Sequence, residues 1–110
     1  MGRIVTKRFE SPDDVISFVH GETQVLRVNG EEIWRSELPK GWNWDEDLKP
    51  YAEGATSCPM THREYVLSGR IRYLTDEGTE VVGEPGDYLF IEPGHRAWTV
   101  GEETCVLLDW

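Results

Sequence analysis

Cysteine is scarce: Cys58 and Cys105 are the two in 110 residues. That is too few for a disulfide framework, so a hydrophobic core has to hold the chain together. Both are expected as reduced thiols, each free to serve as core filler, ligand or nucleophile. Basic residues are also few, 11 Lys and Arg against 21 Asp and Glu, for a formal charge of −10. Such a chain repels phosphate backbones and anionic lipid, which argues against nucleic acid and membrane surfaces as partners. No apolar run approaches a bilayer span, and the opening "MGRIVTKRFESPDD" lacks the apolar stretch of a leader, so a soluble, cytoplasmic protein is expected. There is no GxSxG elbow and no glycine-rich phosphate loop, which leaves Ser/His/Asp hydrolysis and nucleotide binding without support.

What is present suits one compact interior. Hydrophobic residues make up 38% of the chain and aromatics 11%, with five Trp, while the length leaves no room for a second core. "IVTKRF" (Ile4 to Phe9) alternates as a strand does. In "SPDDVISFV", Ser11 as N-cap, Pro12 at the first helical position and Asp14 as capping acid predict one short helix. His20 then follows that helix, where its C-terminal dipole favours a cation. "TQVLRVNGEEIWRSEL" is two alternating runs around Asn29-Gly30, a hairpin from Thr23 to Leu38. "PKGWNWDEDLKPYAEGAT" has no period and is expected as a long loop, with Trp42 and Trp44 as its pins and as a lid or plug at a cavity mouth. After it, "EYVLSG", "RIRYLT", "TEVV", "DYLFIE", "AWTV" and "TCVLLDW" are short strands divided by Gly- and Pro-containing turns. That pattern predicts an all-β sandwich or barrel.

The stretch "HREYVLSGRIRYLTDEGTEVVGEPGDYLFIEPGH" resembles the core of the cupins, in the order "YVLSG", hairpin, "PGD", apolar strand, "PGH". The likeness covers Cys58 to Trp110. "GWNWDEDLKP", Cys58 with His62, "PGHRAW" and "CVLLDW" are similar to a group of small single-domain cupins of unassigned activity. The resemblance implies a double-stranded β-helix, or jelly-roll barrel, with one short N-terminal helix. It implies one domain over residues 1–110, with the N-terminal strand and helix over 1–20 and the barrel over 21–110. Edge strands in such barrels need cover, so a homodimer built on an exchanged or packed N-terminal strand is expected.

The usual cupin metal site is a His-x-His pair, an acid and a last His. With Gly69 as the anchor these positions fall on Thr56, Cys58, His62 and Ala97, with His95 two residues before the last. The three-His, one-Glu set is therefore absent. Cys58, His62 and His95 would instead offer a thiolate and two imidazoles with an open fourth position, a set suited to zinc or copper. Along the strand His62, Glu64 and Val66 share a face. An inward carboxylate needs a partner, which makes His62 and Glu64 the candidate acid/base pair. Trp44, Tyr88, Phe90 and Trp98 are candidate walls of a ligand pocket, and Cys105 is expected as core filler. Plainer roles compete: Cys58 as a small buried hydrophobe, His95 bonded to its own turn, His62 hydrogen-bonded at a wet strand end. A Cys58–His62 thiolate–imidazolium pair is a further reading. Two functions follow. One is an enzyme of lyase, isomerase or oxygenase type acting on a small organic molecule, with a divalent transition metal; the other is a metal-free module that binds or senses a small ligand.

Overall fold

The computed structural model describes residues 2–110. Asn29 and Gly30 take φ of 53° and 80°, the positive values a type I′ turn demands. They join β2 (Glu22–Val28) to β3 (Glu31–Leu38) with Val25 opposite Trp34. The same alternation of apolar runs and turns continues as β4 (His62–Ser68), β5 (Arg70–Thr75), β6 (Glu80–Gly83), β7 (Tyr88–Ile91), β8 (His95–Val100) and β9 (Cys105–Asp109). With β1 (Asp14–Ser17), these strands form two antiparallel sheets, ordered β1-β2-β3-β9-β4-β7 and β6-β5-β8.

The sheets face each other across a core that includes Val66, Ile71, Tyr73, Ala97, Cys105 and Leu107. Each of these residues alternates with a less buried neighbour, so one face of β4, β5, β8 and β9 is turned to the core. Cys105 is fully buried, and burial pushes its thiol up to about 12. It is an unreactive filler.

Three expectations for the first half of the chain are corrected. The segment expected as a helix after Pro12 is β1, paired with β2 from Asp14 opposite Val25 to Ser17 opposite Glu22. Capping signals alone cannot hold so short a helix, whereas Val15 and Ile16 suit a pleated edge and gain ladder bonds. Residues Ile4 to Phe9 form no strand; Ile4 is 98% exposed. The long loop contains a helical turn, α1 (Trp44–Asp47), and a 3-10 turn over Lys49–Tyr51. Asn43 caps α1 by accepting the Glu46 N–H at 2.9 Å.

His20 therefore has no helix dipole to serve. Its backbone N–H donates to Asp47 at 2.6 Å, and its ring Nδ1 lies 3.1 Å from the other carboxylate oxygen. The same buried Asp47 accepts the Asn43 N–H at 2.9 Å. This one carboxylate ties the α1 turn to the end of β1, and so seats Trp44 in the barrel. Asp47→Ala strands three donors and should cost about 2–4 kcal/mol, read by urea unfolding, with Trp emission shifted to the red. Unchanged stability would refute the tie. No helix among the described residues is long and apolar enough to cross a membrane.

Candidate metal centre

Backbone pairing assembles the site at one end of the barrel. Cys58 N–H donates to the His95 carbonyl at 2.7 Å, and Gly94 N–H donates to the Cys58 carbonyl at 2.8 Å. A loop residue is thereby laid against the start of β8. On β4, His62, Glu64 and Val66 turn inward while Arg63, Tyr65 and Leu67 face solvent. β9 runs beside β4 and sets Asp109 directly opposite Glu64. Tyr73 comes in from β5 in the facing sheet.

Cys58, His62 and His95 each present a ligand atom, and the three atoms lie within 4.8 Å of one another. The Cys58 Sγ is 3.4 Å from His62 Nε2. The other ring nitrogen of His62, Nδ1, lies 2.6 Å from Asp109 Oδ2 and 3.7 Å from Glu64 Oε2. His95 is buried, and its Nδ1 donates to the Glu92 carbonyl at 2.7 Å, which leaves Nε2 as the ring nitrogen free to meet Cys58. The His95 ring packs edge-on against both His62 and Tyr73, at centroid distances of 5.3 and 5.7 Å. Tyr73 O–H donates to Glu64 Oε1.

These contacts decide the charges in the metal-free protein. Burial disfavours a thiolate at Cys58, but hydrogen bonds from His62 and His95 outweigh it and bring the thiol down to about 6. Burial likewise works against a charged His62, yet its bonds to Asp109 and Cys58 carry it up to about 10. Burial pushes Glu64 up to about 7 against the pull of His62 and Tyr73, and raises Tyr73 well above its ordinary range, with Glu64 adding to the effect. Two inward carboxylates stand opposite each other across the β4–β9 ladder, an arrangement that repels unless a cation or a proton is shared. His62 supplies that cation.

The chain thus brings together four of the residues its sequence singles out: Cys58, His62, Glu64 and His95. Trp44 is 2% exposed and lines the cavity beside them. The other three pocket candidates are corrected. Tyr88 and Phe90 are 55% and 58% exposed on the outer face of β7, and Trp98 lies on the outer side of the smaller sheet with the Arg72 guanidinium 5.8 Å over its ring. Ala97, Trp98's neighbour, takes the inward position. Two site residues escaped the reading of the sequence, Tyr73 and Asp109. Both carried a signal, for Tyr73 alternates with Ile71 and Asp109 with Cys105 and Leu107, which puts an acid on an otherwise apolar strand face.

The cavity between the sheets is about 60 Å³, floored by Glu64, Tyr73 and Ala97 and opening past Cys58 and His62. It continues into an outer vestibule of about 220 Å³ walled by Phe18, Trp34, Trp44, Leu48 and Tyr51.

No family model matches the chain, and no curated protein matches it. Solved structures do, all at low identity. A protein of unknown function from Vibrio parahaemolyticus aligns with a TM-score of 0.63 at 11% identity, over 87% of this chain and 95% of that one. Ectoine synthase from P. lautus aligns with a TM-score of 0.69 at 13% identity, over 96% of this chain and 77% of that one. Oxalate decarboxylase from Lactobacillus farciminis aligns with a TM-score of 0.64 at 14% identity, over 99% of this chain but only 33% of that one. The latter two are cupin proteins, and identities this low speak for architecture alone. The chain has a small cupin-like fold, an all-β jelly-roll barrel.

Proposed function

We propose that this cupin-like barrel acts on a small organic molecule with a divalent transition ion, zinc or copper, held by Cys58, His62 and His95. One observation carries the reading: three soft-to-borderline donors converge within 4.8 Å, and the second nitrogen of each His is already engaged. Asp109 holds Nδ1 of His62 and the Glu92 carbonyl holds Nδ1 of His95, the outer contacts that orient ligating imidazoles. Two donors of a tetrahedral zinc ion stand about 3.5 Å apart, and Cys58 Sγ and His62 Nε2 are 3.4 Å apart. The three-His, one-Glu set of ordinary cupins does not fit, since Thr56 and Ala97 occupy two of its positions.

When bound, the ion supplies Lewis acidity toward a polar group of the substrate. The chain's own residues supply orientation and proton handling. Glu64, gripped by Tyr73 and 3.7 Å from His62, is the group placed to take or give a proton inside the cavity. Buried walls exclude water around it. The test is elemental analysis of untagged protein, with about one ion per chain expected. No retained ion after exposure to zinc, copper, iron and manganese would sink this reading and favour a metal-free binding module. The observation on that module's side is that Cys58, His62 and Asp109 already satisfy one another as a hydrogen-bonded chain.

The outward aromatics support a homodimer. Tyr65, Leu67, Tyr88, Phe90 and Trp110 are all exposed; Tyr65 pairs across to Tyr88, and the Tyr88 and Trp110 rings are 6.1 Å apart. This patch continues to β7, the last strand of its sheet, where a second copy covers both the apolar face and the edge. Sedimentation should give a dimer that Phe90→Asp converts to a monomer. A wild type that stays monomeric at high concentration contradicts this. The reduced thiol that the metal reading requires of Cys58 favours a cytoplasmic setting.

A further inference from the structure

We infer that the site selects a neutral, mainly apolar molecule, one ring with a single polar group, delivered through the aromatic vestibule to Cys58 and His62. This deepens the metal reading and rests on it for the polar end of the site. The vestibule's shape and its charges argue the class separately.

The polar handles of two of the vestibule's aromatic walls are already used elsewhere. Trp34 donates its indole N–H to Glu32 at 3.0 Å, and Tyr51 donates its hydroxyl to the Ser17 carbonyl at 2.9 Å. Phe18 packs edge-on against Tyr51 at 6.4 Å. What these side chains offer the vestibule is therefore apolar ring surface, joined by Ile16, Leu48 and Met60. Polar chemistry is confined to one side, where Cys58 and His62 form the floor.

Charge complementarity points the same way. Among the described residues, no Lys or Arg lines either the inner cavity or the vestibule. The formal charges that do line the inner cavity, apart from His62 and the thiol, are the acids Glu64 and Asp109. A carboxylate or phosphate would shed its water with no guanidinium or ammonium to replace it; the two charges of a bound ion are already met by the Cys58 thiolate and by Asp109 behind His62, so an anion gains no net cation there and still faces Glu64. The aromatic faces would return an ammonium only a small part of its lost hydration, and no carboxylate is free to pair with it, since Glu64 is committed to Tyr73 and Asp109 to His62. A neutral hydroxyl or carbonyl carries neither cost. The size also fits one ring, because a cavity of about 150 Å³ accommodates benzene, and the vestibule is about 220 Å³.

The experiment is calorimetric titration with benzyl alcohol, benzoate and benzylamine, three molecules of one shape and three charges, with metal content measured on the same samples. Benzyl alcohol should bind saturably, about tenfold or more tighter than either ion. Met60→Arg, at a 52% exposed position on the vestibule, should raise benzoate affinity about tenfold and leave metal content unchanged. Benzoate or benzylamine binding as tightly as benzyl alcohol in the wild type overturns the inference, as does an unmoved benzoate affinity in Met60→Arg. Stoichiometric metal with no saturable benzyl alcohol binding overturns it and leaves the metal reading standing. Saturable, alcohol-selective binding by protein that takes up no metal upholds the inferred class and overturns the metal reading.

Discussion

Replacing His62 by Ala is expected to remove the metal and about 3–5 kcal/mol of folding stability together, whereas Cys58→Ala should remove the metal and cost far less. The asymmetry follows from what each side chain neutralises. His62 is the one cation between two inward carboxylates, 2.6 Å from Asp109 and 3.7 Å from Glu64, and those acids are direct cross-strand partners. Deleting it leaves both without a counter-charge, Glu64 buried and Asp109 largely so. Cys58 is a small residue that is 4% exposed, and its loss leaves only a minor void, on the order of 1 kcal/mol. Unfolding in urea with a chelator present compares the folds without any contribution from metal binding. Equal stabilities for the two variants would show that His62 is not the counter-charge of the site, and metal retained by either would show that it is not a ligand set.

Gly69→Ala is expected to cost about 3 kcal/mol or more, although it adds one methyl group. Gly69 joins β4 to β5 with φ of 68°, in the left-handed region that penalises any Cβ by about 1–2 kcal/mol. An added Cβ would also lie 2.6 Å from both the Cys105 Cα and the Thr104 carbonyl oxygen. These are backbone atoms of the neighbouring β9 segment and cannot swing aside. Gly78 provides the control, since its φ is 95° and an added Cβ would meet nothing within 4 Å. Gly78→Ala should therefore carry the conformational cost alone, about 1–2 kcal/mol. Similar losses in the two variants would remove the steric argument. The contact matters to the site because this turn sets Glu64 on β4 against Tyr73 on β5.

Much of the barrel was legible in the sequence because its signals are local. Asn29-Gly30 specified a hairpin through the φ values only such residues accept readily, and β2 and β3 lie where that turn puts them. The short alternating runs after residue 61 became β4 to β9 for the same reason. The Ser11–Asp14 helix signal failed because a cap is worth roughly 1 kcal/mol, less than four residues gain from pairing with β2. Alternation showed that His62 and Glu64 share a face, but an amphipathic strand with aromatics on both sides does not say which face is inside. Tyr88, Phe90 and Trp98 qualify as pocket walls on that ambiguity, and the fold turns them outward. A one-residue change in register moves every side chain across the sheet.

By itself, then, the sequence determined the strand-and-turn character of the chain, its acidic surface, its free thiols and the absence of the ordinary cupin ligands. Each of these depends on a residue and its near neighbours. The tertiary structure alone decided that Asp109 holds His62 across 47 positions, that Cys58 lies against His95, that Tyr73 grips Glu64, and that the vestibule walls are apolar. Those contacts arise from the register between strands far apart in the chain. Register is set by burial of the whole core at once, which no local run of residues encodes.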